Sequence, residues 1–383
     1  MNFALTEQQK ETQQWAASIA KELIAPHSLK HSREKISRQL LEELSKAGLM
    51  TLTVPEKWGG LGLDFVSYAL VISEISKACG SVGVTVAVTN MIAQILVREG
   101  SPYHQQEFLT RLTSGRALTA SFCLTENSSG SDASALKTRA FQKPEGTYSI
   151  SGEKIFVTNG AFSDFYLVMA KTSELEKAAK GVSAFLVSRD QKGVNLGREE
   201  DKMGLIGSST IRMSFDSVVI PQKNLIASEG DGFKVALRAL DGGRISVAAQ
   251  AFGLSRAALE AGIRYSKERE AFGQPLSNFQ AIQWKIADAA TAISAAELLI
   301  LRAAWLKDQN RAFTSEASIA KVFATEMAQK VCEEMLQIHG GYGYVKDYPA
   351  ERYCRDVRVT TLYEGTSEIQ RVVIARDLLR KSA

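Results

Sequence analysis

The chain has 383 residues, 45% of them apolar and 23% charged, a globular balance and too much chain for one hydrophobic core. A net charge of +4 is too weak to argue for a nucleic-acid partner, and the opening MNFALTEQQKE turns polar before the apolar centre of a signal peptide could form. No membrane-spanning stretch is expected, since AAELLILRAAW is broken by Glu297 and Arg302, and Cys79, Cys123, Cys332 and Cys354 form no CxxC pair, which suits reduced thiols in a cytoplasmic protein.

The first region, 1–116, carries a helical period. Thr6 and Gln9 make a capping box ahead of Trp15, Ile19 and Leu23. Ser37 caps a helix with Leu40, Leu41 and Leu44 on one face and Gly48 as its stop. Two apolar helices follow, the second ending at Gly100, and Ser101-Pro102 opens another running to Gly115. In 117–227 the period changes to two. ALTASFC, TYSISGEKIFVTN, FYLVMAK, GVSAFLVS and TIRMSFDSVVI read as strands of an antiparallel sheet or small barrel, because no crossover helices separate them. Region 228–383 returns to long helices at about 231–267, 279–308, 314–338 and 367–380, the pattern of a bundle. The expected fold class is mostly α with a central β domain.

There is no GxGxxG, P-loop, HExxH or GxSxG. His27 and His31 share a helix spacing, but without a third candidate ligand they read as solvated side chains, and no metal site is expected.

Chemistry gathers in a few segments. In LYEGTSEIQR, Glu364 stands before Gly365 at a break between helices, where a carboxylate can face a cavity; Thr366 or Ser367 then caps the last helix. On spacing alone the plainer reading is a capped turn with an exposed Glu. Asp241-Gly242-Gly243-Arg244 sits inside a helix, where each glycine costs about 1 kcal/mol; this means either a kink or a close approach by a ligand or another backbone. FCLTENSSGSD (122–132) empties a strand into a turn of hydroxyls and N–H groups that can cradle a pyrophosphate or be an ordinary loop.

YEGTSEIQR, followed by ARDLLR, resembles the C-terminal signature of acyl-CoA dehydrogenases of the short- or medium-chain, butyryl-CoA type. FVTN (156–159) is similar to that family's WITN, and EREAFGQPL with Phe279-Gln280 to its ERxxFGxxLxxFQ. QIHGGYG (337–343) is similar to QIHGGYGY, and FCLTENSSGSD to a flavin-binding stretch ending TEPGAGSD. Here Asn127, Ser128 and Ser129 replace Pro, Gly and Ala, and Phe156 replaces Trp.

The resemblance implies an N-terminal helical domain, a middle β domain and a C-terminal four-helix bundle, binding FAD. It makes Glu364 the base that takes the α-proton of an acyl-CoA, with electrons passed to an electron-transfer flavoprotein. Relatives that keep their base on the first bundle helix have Glu at the place of Gly243, so Glu364 serves alone. The implied cofactor residues are Phe122, Leu124, Thr125, Ser131, Phe156, Thr158, Thr366 and Glu368, with Arg269, Phe272, Gln280, Gln337, Gly340 and Gly341 from a neighbouring subunit of a homotetramer. Ser131, Asp241, Arg244 and Gly365 are the implied substrate residues. Alternatives sharing these motifs are a carrier-protein-linked acyl dehydrogenase, an acyl-CoA oxidase and a non-catalytic flavin-binding relative. The pocket floor is expected within 84–96, with Thr89 and Met91 unassigned.

Overall fold

The computed structural model describes residues 4–173 and 178–381. Helix α1 (Glu7–Ile19) starts on the expected capping box: the Gln9 N–H donates to the Thr6 hydroxyl at 3.2 Å and the Thr6 N–H to the Gln9 amide oxygen at 3.0 Å. Ser37 accepts from the Leu40 N–H to open α2 (Arg38–Lys46), and Gly48 follows with φ of 78°. Helices α3 (Phe65–Ala78) and α4 (Gly80–Glu99) are buried nearly all round; the short α5 (Pro102–His104) and α6 (Thr110–Thr113) lead into the sheet.

Eight strands form that sheet: β1 (Ala120–Cys123), β2 (Arg139–Lys143), β3 (Thr147–Thr158), β4 (Phe165–Lys171), β5 (Val182–Ser188), β6 (Val194–Glu199), β7 (Thr210–Pro221) and β8 (Leu225–Ile226). Their order is β6-β7-β3-β2-β4-β5-β8, with β1 on β4. The sheet is mixed rather than purely antiparallel, because β1 and β4 pair in parallel and β2 meets β4 in parallel at one position. A parallel pair needs a long return connection. Here the β2–β3 hairpin supplies it in place of a crossover helix, which is why the absence of such helices misled the sequence reading.

The C-terminal region holds α7 (Gly232–Glu268), the β9–β10 ribbon (Glu270–Ala271, Gln274–Pro275), α8 (Gln280–Asp308), α9 (Thr314–His339), α10 (Ala350–Arg358) and α11 (Ser367–Lys381). The four long helices lie close to their expected spans; α10 was not anticipated. Its apolar stripe is too short to stand out, but Tyr353 and Val357 are buried in the bundle. Alanines dominate the contact faces of α7 and α9, such as Ala248, Ala258, Ala320 and Ala324, so the axes can approach closely. The same core takes in Leu41, Leu44, Tyr68 and Ile72 from the N-terminal helices. A second core packs α4 and the start of α7 against one face of the sheet.

Two readings require correction. Gly80–Glu99 and Gln280–Asp308 are both long and apolar enough to cross a membrane by length and composition; 89% of the first window lies buried within the fold and 39% of the second. Looking for one unbroken apolar run missed them, since isolated polar residues do not lower the average far. His31 is buried, not solvated, and burial lowers its pKa. Among the described residues no cluster of ligating side chains could hold a metal.

Candidate active site

The chain reverses between α10 and α11 through two successive residues of positive φ, Glu364 at 55° and Gly365 at 88°. For a glutamate this region is strained, and the surroundings hold it there. The Gln370 amide donates to the Glu364 carbonyl at 3.2 Å and the Gly365 carbonyl at 2.8 Å. The Lys321 ammonium, fully buried on α9, donates to the Gly365 carbonyl at 2.8 Å and the Thr360 carbonyl at 3.0 Å. Thr366, not Ser367, caps α11, accepting from the Ile369 N–H at 3.4 Å. The Tyr363 hydroxyl donates to Gln250 of α7.

The turn aims the Glu364 side chain at α7. Its Oε2 is buried without a hydrogen-bond partner, although part of the residue reaches solvent. Burial pushes the carboxyl up to about 7, against the opposing fields of Lys321 and Arg244. Room for it comes from Gly243, where a Cβ would lie 1.7 Å from Oε2. Neighbouring Gly242 makes room for a lysine, since its Cβ would lie 2.7 Å from Lys307 Nζ. The paired glycines therefore accommodate two side chains, where the sequence left open a kink or a close approach by a ligand or another backbone. Asp241 and Arg244 come together with them: Arg244 donates to Asp241 at 2.7 Å and to Ser318 at 3.2 Å, while its buried Nε has no partner.

Across the sheet, β3 carries a bulge between Lys154 and Val157. The extra residue, Phe156, has φ of 54° and stands 62% exposed despite its size. Thr158 follows, its carbonyl held by Ser121 at 2.7 Å. Asn159 ties this strand end to α4, donating to the Thr85 carbonyl at 3.0 Å and Thr89 Oγ1 at 3.3 Å. Thr89 is thus wholly buried in that tie, whereas Met91 faces a cleft of about 240 Å³.

The loop after β1 is braced by residues the sequence reading passed over. Lys154, with no exposed surface, donates to Glu126 at 2.8 Å and to the Leu124 carbonyl at 3.0 Å. Glu126 also accepts from the Lys137 and Thr138 N–H groups and the Thr138 hydroxyl. Burial alone would raise this carboxyl, but Lys154 and those donors hold it below its usual range. Ile155 donates to the Thr125 carbonyl at 2.9 Å. Asn127, Ser128 and Ser131 are left exposed with Phe122 half-buried beside them. The β3 alternation, with Tyr148, Ile150 and Lys154 on one phase, could have revealed Lys154 as inward-facing. Lys321 carries the same kind of signal, lying one helical turn from Ala317 and close to Ala324 and Ala328 along α9.

Another group of predicted residues lies elsewhere. Arg269, Phe272, Gln280, Gln337, Gly340 and Gly341 surround the far end of α7 and are mostly solvent-exposed, Phe272 at 96%. The rise of α7 separates Arg269 from Gly243 by roughly 39 Å. Within one chain these residues do not join the Glu364 turn.

Comparison with known proteins gives concordant matches. The N-terminal, middle and C-terminal domains of acyl-CoA dehydrogenase match residues 6–116, 121–218 and 230–379. A probable acyl-CoA dehydrogenase of Bacillus subtilis is 44% identical over 99% of this chain and 100% of its own. Butyryl-CoA dehydrogenase of Megasphaera elsdenii superposes with a TM-score of 0.96 at 39% identity, over 99% of this chain and all of that one. A structure described as the electron transferring flavoprotein of Acidaminococcus fermentans, in work on flavin-based electron bifurcation, contains a chain with a TM-score of 0.96 at 41% identity, again over 99% and 100%.

Proposed function

The chain belongs to the acyl-CoA dehydrogenase family, and from that premise we propose that it desaturates an acyl-CoA thioester with Glu364 as its base. It is an FAD-dependent oxidoreductase acting across the bond between α and β carbons. The observation that supports the base is the orphaned, buried Oε2 of Glu364 at a pKa near neutrality.

The protein's residues fit the cofactor. An aromatic ring left exposed at a strained bulge, beside a turn of free hydroxyls, makes an unsatisfied surface suited to an isoalloxazine ring and a pyrophosphate. Phe156 and Thr158 would hold the ring system; Phe122, Leu124, Thr125 and Ser131 would hold its neighbouring parts, with Thr366 and Glu368 from the C-terminal turn. When bound, FAD supplies the acceptor for the hydride from the β carbon.

The chain's own work is to take the proton. Raised basicity lets the Glu364 carboxylate draw it from the α carbon, and no hydrogen bond competes for Oε2. The Glu364 N–H makes no backbone bond among the described residues, so it is available to the thioester carbonyl as negative charge grows there. Gln370 and Lys321 fix that N–H by gripping the two carbonyls that follow it. Loss of the α-proton and the β-hydride leaves a trans-2-enoyl thioester. Arg244 and Asp241 serve the CoA arm, with Ser131 and Gly365 nearer the acyl group. Electrons leave to an electron-transferring flavoprotein.

Arg269, Phe272, Gln280, Gln337, Gly340 and Gly341 complete the FAD site of a neighbouring copy in a homotetramer; their exposure in the single chain supports this. Four free cysteines, three of them buried, fit a cytoplasmic setting. The test is Glu364→Gln. It should bind FAD and fold normally yet lose bleaching of the flavin by acyl-CoA by about a thousandfold; undiminished bleaching refutes the assignment.

A further inference from the structure

The strained turn at Glu364 is gripped on both sides. After it, Gln370 and Lys321 take the carbonyls of Glu364 and Gly365. Before it, the Tyr363 hydroxyl donates to Gln250 Oε1, and the Gln250 amide donates in turn to the Gly80 carbonyl at 2.9 Å. Gln250 is only 1% exposed, and the two ends of its amide meet residues 113 and 170 positions away in the chain. An apolar side chain would fill that space without the cost of desolvating an amide; what the amide adds is direction. Gln250 stands two helical turns beyond Gly243, so one face of α7 both leaves room for the carboxylate and holds the residue before it.

Gly80 opens α4, and the same stripe of that helix continues through Val84 and Val88, which pack with Leu205 against Tyr363. The adjoining stripe carries Thr85 and Thr89. There the Thr85 carbonyl and the Thr89 hydroxyl accept from Asn159 at 3.0 and 3.3 Å. Asn159 directly follows Thr158 at the end of β3. Gly80 and Thr85 are about 7.5 Å apart along the helix axis. Helix α4 is therefore tied at neighbouring points to the turn that carries Glu364 and to the strand end that carries Phe156 and Thr158.

We propose that Gln250 is a positioning residue for removal of the α-proton: through Tyr363 it fixes the Glu364 carboxylate relative to α4, and so relative to the flavin strand that Asn159 ties to the same helix. Proton and hydride leave adjacent carbons, so the base and the hydride acceptor must keep one separation. A misplacement of about 1 Å costs on the order of a hundredfold in rate. The inference rests on the dehydrogenase reading and says how its base is aimed.

Anaerobic bleaching of the FAD-loaded enzyme by butyryl-CoA, with rates taken per bound flavin, tests this. Gln250→Met keeps an unbranched side chain and removes both hydrogen bonds. It should lower kcat by about tenfold or more with KM changed by less than about twofold, because the thioester still binds while the base is misaimed. The midpoint of its pH profile should fall, since a loosened turn lets water reach a carboxyl that burial had raised. Tyr363→Phe cuts the same link from its other end by deleting one hydroxyl, and should show the same split even where Gln250→Met folds poorly. The double variant should be no slower than the slower single variant, because both act on one connection. Single-variant rates within about twofold of wild type, a loss confined to KM, or losses that multiply in the double variant overturn the proposal and leave the dehydrogenase reading in place. A wild type that butyryl-CoA does not bleach overturns that reading, and this inference with it.

Discussion

Gly243 and Glu364 share one volume: a Cβ on the glycine would lie 1.7 Å from the carboxylate oxygen, well inside contact distance. An α-helix interior accepts glycine at a cost of about 1 kcal/mol, and here that cost leaves the Glu364 carboxylate its space. Gly243→Ala should raise helix stability locally yet displace Glu364. The expected result is retained FAD with bleaching slowed by about a hundredfold or more; measured against butyryl-CoA, a rate within a factor of two of wild type would contradict the steric account.

With Glu364 as the proposed base, the same carboxyl sets the expected pH behaviour. A base must be unprotonated, so bleaching should rise with pH through about 7 and then level off. Stability runs the other way. Glu364 is raised in the folded state, so its contribution is intact below about pH 4.5 and is lost as pH climbs through about 7. In the substrate-free enzyme, Glu364→Gln should therefore gain on the wild type in thermal unfolding at pH 8 and lose that advantage near pH 5.

Lys321 acts on Glu364 both through the Gly365 carbonyl and through its field. Lys321→Met removes a cation that holds the base down. The midpoint of the bleaching profile should move to higher pH, and kcat/KM should fall by roughly ten- to a hundredfold. A fall in rate with an unmoved midpoint would mean the lysine only supports the turn.

Lys154 and Glu126 form a buried pair beneath the loop that carries Thr125 and Ser131. Lys154→Met strands a carboxylate and should destabilise by about 3–5 kcal/mol, with poor FAD retention. Combining it with Glu126→Gln should restore much of the stability, since the uncompensated charge is gone. Calorimetry of the wild type and these two variants reads this directly.

Much was legible in the chain itself. Helix ends announced themselves through Thr6, Ser37 and Gly48, and the change of period located the sheet. YEGTSEIQR pointed to Glu364 through its resemblance to the family signature, whereas its spacing alone favoured a capped turn with an exposed Glu. Lys321, Gln370 and Lys154 were not found, because each acts on backbone carbonyls or an acid distant in sequence, and partners of that kind are set by packing. The parallel pairing of β1 with β4 escaped for a related reason: strand direction depends on how the intervening hairpin folds back, which alternation does not encode.

The length of α7 has a genetic consequence. If Glu364 and Arg269 serve FAD molecules in different places, two individually dead chains can cure one another. Co-producing Glu364→Gln with Arg269→Ala should yield mixed assemblies in which some sites draw a sound base from one chain and a sound arginine from the next. Such rescue on mixing genes, absent when either variant is made alone, would show that the functional unit is larger than the polypeptide.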